Sequence, residues 1–144
     1  MPTSRLLAAG AAALATTAVL ATSGSAAPKH HTLHFTSKSD PSVGFFPAGA
    51  PEQGSQLGFG DTITGSDHGT DRAVCTMIGD KLLCNIVVTL SKGTLAVQGL
   101  VPEHSHNTPL AVVGGTGAYK GAAGTARVTD IDDTTTKVDV SLSR

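Results

Sequence analysis

Residues 110–126 read Leu110-Ala-Val-Val-Gly114-Gly-Thr-Gly117-Ala-Tyr119-Lys-Gly121-Ala-Ala-Gly124-Thr-Ala126. An apolar, β-branched run leads into a glycine-dense turn holding one aromatic ring, and a second extended run follows. Val112 and Val113 suit a pleated strand, and no helical period crosses the segment. A dinucleotide fingerprint would require glycine where Lys120 stands, and a helix after it. The phosphate-binding pattern that ends in Gly-Lys-Ser/Thr also fails here. The glycines therefore read as structural, permitting a tight turn and close approach of strands.

Upstream, the apolar period is two. Ala73, Cys75 and Met77 share one strand face, and Leu82, Cys84, Ile86, Val88 and Leu90 share the next. Gly79-Asp80 between them suits a two-residue hairpin turn with glycine first. That turn pairs Ile78 with Lys81 and Met77 with Leu82, which brings Cys75 opposite Cys84 in a non-hydrogen-bonded position, where side chains approach closely. The spacing thus predicts a Cys75–Cys84 disulfide.

The rest of the chain continues in short extended segments. Leu33–Thr36 forms a weak first strand, and residues 37–56, rich in Ser, Pro, Gly and Gln, read as a long loop pinned by Phe45 and Phe46. Leu57–Thr64 and Thr94–Val101 are strands, and Thr125–Ile131 and Thr136–Leu142 form a last hairpin around Asp132-Asp133. Seven or eight such strands with frequent turns argue an all-β barrel or sandwich.

The N-terminus reads as a secretory signal over residues 1–26. Arg5 supplies the positive charge, Leu6–Ala21 the apolar core, and Gly24-Ser25-Ala26 the small residues before cleavage. No Lys/Arg cluster follows as a stop-transfer flank, so no membrane attachment is expected after cleavage. The remaining 118 of 144 residues suit one domain, with a polar leader, first strand and loop over 27–56 and the barrel body over 57–144. This mature chain carries 9 Lys/Arg against 11 Asp/Glu, so nothing marks a nucleic-acid or membrane surface. An exported chain with two cysteines expects a disulfide.

From Leu57 to Leu142 the sequence resembles the secreted bacterial branch of the allene oxide cyclase-like and dirigent-like barrels. The resemblance rests on Gly60-Asp61, Cys75-Thr76, Cys84, Gly93-Thr-Leu-Ala-Val-Gln-Gly99, and the signature Gly114, Gly115, Thr116, Gly117, Tyr119, Gly121 and Gly124. It implies a single antiparallel eight-stranded β-barrel whose interior can hold a small apolar molecule. Plant relatives steer cyclisation or radical coupling of such molecules. This chain departs from them where the chemistry would lie. Ala123 stands where plant dirigent proteins place an Arg, and Ala118 where several relatives place an acid. The mature chain's two glutamates, Glu52 and Glu103, fall in loops.

Among candidate site residues, Asp61 lies within an alternating strand. Facing the interior, it would have a raised pKa and could serve as acid or base; as a strand-end acid it would bond backbone amides. Tyr119 and Arg127 are further polar candidates for ligand binding. His30, His31 and His34, with His104 and His106, read as solvated histidines of polar segments rather than metal ligands. Asp130, Asp132 and Asp133 lack the glycine and terminal Glu of a calcium loop, and Ser105 has no nucleophile elbow around it. No metal or cofactor is expected. The residues favour a secreted barrel that binds a small, mostly apolar molecule, without established turnover. A cyclase or isomerase using Asp61, and a packed structural barrel, are the alternatives. Monomer and homo-oligomer both remain open.

Overall fold

The computed structural model describes residues 30–102 and 105–143. The predicted signal segment lies outside the described residues, as do Glu103 and His104. Eight strands follow in chain order: β1 (His30–Phe45), β2 (Gln56–Gly65), β3 (Gly69–Ile78), β4 (Lys81–Leu90), β5 (Gly93–Pro102), β6 (Asn107–Gly115), β7 (Ala123–Asp130) and β8 (Thr135–Ser143). Each pairs antiparallel with its sequence neighbour, and β1 pairs with β8 to close an eight-stranded barrel. The predicted all-β barrel is the observed one. Closure leaves no unpaired sheet edge.

The β3–β4 hairpin has the register read from the sequence, with Ile78 opposite Lys81 and Cys75 opposite Cys84. Gly79 occupies φ +63° at the first turn position, a conformation costly for any residue with a Cβ. Cys75 and Cys84 are disulfide-bonded, with Cα atoms 4.0 Å apart.

The N-terminal segment corrects the expected long loop. Residues 37–45 belong to β1, hydrogen-bonded to β2 and, through Lys38, to β8. His30 and His31 consequently stand on the same strand as His34 rather than in a polar leader. β1 bulges against β2 between Ser39 and Gly44, a place where Pro41 removes no needed ladder bond. There the Asp40 carboxylate accepts hydrogen bonds from the Ser42 amide at 3.0 Å and its hydroxyl at 2.6 Å.

Alternation sets the inside. Phe35, Ile63, Val97, Leu110, Val112, Ala126, Val140 and Leu142 are buried, while their strand neighbours face out. One barrel end is filled. The 3₁₀ turn Gly117–Tyr119 folds across it, the Ala118 amide donates to the Lys92 carbonyl at 2.8 Å, and Tyr119 and Ala122 join the core. Gly117, at φ +58°, sits so close that a Cβ would lie 2.5 Å from the Lys92 carbonyl oxygen. The signature glycines thus shape a plug. The β1–β2, β3–β4, β5–β6 and β7–β8 connections gather at the opposite end, the mouth.

Leu142 is fully buried on β8. Leu142→Ala should cost about 2–5 kcal/mol through lost transfer and residual cavity. Val113→Ala, at a site 54 % exposed, should stay within about 0.5 kcal/mol. Urea unfolding of the two variants checks the inside–outside assignment, and equal midpoints would refute it.

Candidate ligand cavity

The space that the plug leaves open toward the mouth is a cavity of about 340 Å³, within the usual range for small-molecule sites. Its wall is largely apolar, formed by Phe35, Phe59, Ile63, Leu82, Ile86, Val88, Leu95, Val97, Leu110, Val128 and Val138 among others. The Cys75–Cys84 bridge is part of that wall, so the disulfide fixes cavity shape as well as the hairpin.

Three aspartates, Asp61, Asp71 and Asp130, enter the lining, and among the described residues no lysine, arginine or histidine does. Asp61 on β2 and Asp71 on β3 are direct cross-strand partners. The Ser37 hydroxyl donates to Asp61 Oδ2 at 2.5 Å, and the Asp61 amide donates to Asp71 Oδ1 at 2.9 Å. Asp71 is only 8 % exposed. Burial, then the negative charge of Asp61, push its pKa up to about 7, against weaker opposition from the Asp61 amide and the Arg72 guanidinium. Asp61 and Asp71 thus both line the interior. Asp71 escaped the sequence reading, although it continues the face of Ala73, Cys75 and Met77 by one step of two. Asp130 lies at the mouth, with its Oδ2 3.3 Å from His106 Nδ1.

The other candidates lie elsewhere. Arg127 points outward, where its guanidinium donates to Asn107 Oδ1 at 2.7 Å; period-two alternation gives the inner face to its neighbours Ala126 and Val128. Tyr119 is buried in the plug, outside the cavity lining, and its phenol donates to Asp67 Oδ2 at 3.1 Å. Asp67 also accepts from the Ser91 hydroxyl at 2.5 Å and the His68 amide at 2.8 Å. The Ser91 bond leads the set that holds Asp67 down at about 2. Tyr119 and Asp67 thus form a structural latch. Ala118 and Ala123 are surface residues at the plugged end, so neither brings chemistry to the cavity. Ser105 lines the mouth and accepts a 2.9 Å hydrogen bond from Thr108. His34 pairs with Asp139 at 2.7 Å on the outer surface.

These two acids act oppositely on stability. Asp71 takes up its proton at higher pH when folded than when unfolded, so the folded state loses stability as pH rises from about 4 to 7. Asp67 stabilises the fold above its ordinary pKa, and that contribution is lost as pH falls toward 2. Asp71→Asn should therefore raise the melting temperature at pH 8, by roughly a few kcal/mol of stability, and flatten its slope between pH 4 and 7. A variant that melts lower than the parent at pH 8 would contradict this assignment.

No family model matches the chain, and neither does any curated protein. Among solved structures, a pyocyanin demethylase superposes with TM-score 0.67 at 21 % identity, covering 78 % of this chain and 99 % of that one. The pterocarpan synthase dirigent protein GePTS1 gives 0.64 at 22 % identity, with coverages of 81 % and 89 %. Its counterpart PsPTS1 gives 0.61 at 21 %, with 81 % and 95 %. The chain has the closed eight-stranded barrel fold of these solved structures, dirigent proteins among them.

Proposed function

We propose that this chain is an exported barrel protein that takes a small, mostly apolar molecule into its interior. The observation that carries the proposal is the cavity of about 340 Å³, plugged at one end and walled mainly by aliphatic side chains. Such walls supply roughly 25 cal/mol for each Å² of ligand surface removed from water. Export is supported by the signal-like residues 1–26 and by the Cys75–Cys84 bridge, which suits an oxidising compartment. Structural neighbours named for a demethylase and for pterocarpan synthases agree with small-molecule handling.

A second reading, a cyclase or isomerase, is favoured by one observation. The Asp71 carboxyl, with its pKa near 7, can hold or release a proton inside an apolar cavity at neutral pH.

A broad panel of lipophilic compounds should raise the melting temperature, with members binding at micromolar levels. At one hundred times Kd a ligand adds about 2.7 kcal/mol. Failure of the whole panel would favour a packed structural barrel. Turnover above a blank that disappears in Asp71→Asn would favour the enzyme.

A further inference from the structure

The cavity lining is one-sided in charge. Among the described residues its three ionisable side chains are all aspartates, two of them adjacent across β2 and β3. Asp71 Oδ1 accepts the Asp61 amide, and Oδ2 has no hydrogen-bond donor among the described residues. The groups around Asp71 offer no cation on the cavity side. Asp61 faces it from β2, and its β4 partner is the apolar Val88. Arg72 lies on the outer face, donating to the Asp71 backbone carbonyl at 2.5 Å. Asp130 is the remaining ionisable group of the lining. The described residues around the mouth add Glu52, Asp80, Asp132 and Asp133, against Lys81 at the start of β4 and His106 beside Asp130, so acids outnumber bases there. Lys92 and Lys120 lie at the plugged end.

An acid pair with one member buried and the other half-buried in a largely aliphatic cavity is costly when ionised and unpaired. A ligand ammonium would relieve that cost, donating charge-assisted hydrogen bonds to Asp71 Oδ2 and to Asp61. The acidic mouth would draw the same charge inward.

Resting on the binding reading above, we infer that the cavity selects a lipophilic amine: one cationic nitrogen seated between Asp61 and Asp71, with an apolar body against Ile86, Val88, Val97 and Leu110. Binding then requires Asp71 in its ionised form. Affinity for an amine that stays largely protonated over this range rises as pH passes upward through about 7, while a neutral analogue shows no such rise.

Three probes of matched shape test this: 2-naphthylmethylamine, 2-naphthylmethanol and 2-naphthoate, titrated calorimetrically into the disulfide-bonded protein at pH 6, 7 and 8. The amine should bind roughly tenfold or more tighter than the alcohol at pH 8, with the margin shrinking toward pH 6 and the carboxylate weakest. Asp71→Asn and Asp61→Asn, each shown folded by its melting curve, should collapse the margin. Equal affinities for amine and alcohol at pH 8 would overturn charge selection and leave the apolar binding barrel standing. Absence of binding by all three, alongside failure of the lipophilic panel, would overturn the binding reading itself.

Discussion

The pairing of β1 with β8 is the constraint on which the rest depends. Once the ring is closed, every second residue of all eight strands must share one interior. That space is limited, so the sequence has to fill part of it and leave the rest deliberately empty. The plug does the filling, through Tyr119, Ala122 and Leu142 at one end. Toward the mouth, valines and isoleucines coat the wall without meeting at the centre. The same alternation that builds a core in a sandwich builds a chamber here.

Two buried acids show how differently such a fold treats charge. Asp67 collects hydroxyl, phenol and amide donors, and its ionised form strengthens the latch beneath the chamber. Asp71 has one backbone donor and a like charge across from it. A carboxyl so placed burdens the folded state at neutral pH, and local rules of stability would replace it with an amide. Residues that violate such rules mark where function is expected.

The sequence made the hairpin of residues 73–90 legible down to individual pairs, because turn chemistry, period-two patterning and cysteine spacing are all local signals. The signature glycines were legible as structural for the same reason. Residues 37–45 were not. Ser, Asp, Pro and Gly look like loop composition, and what orders them is backbone bonding to β2 and β8, partners 13 to 99 residues away. The Tyr119–Asp67 bond spans 52 residues and leaves no trace in either neighbourhood. Asp61 was found by its place in an alternating strand. Asp71 obeys the same phase, but an acid ending an apolar stripe is easily taken for its boundary. Only the register between β2 and β3 makes the two carboxyls a pair.

The plugged end also governs kinetics. A blind chamber has one doorway, so a guest arrives and departs across the same barrier. A change at the doorway that never touches the seated guest, for example at Ile131, which is 61 % exposed and outside the lining, alters association and dissociation rates by one common factor and leaves the equilibrium where it was. A change deep in the wall acts on residence time instead. A barrel that held a guest this way would separate how fast it exchanges that guest from how tightly it keeps it, and the two properties could drift independently under selection.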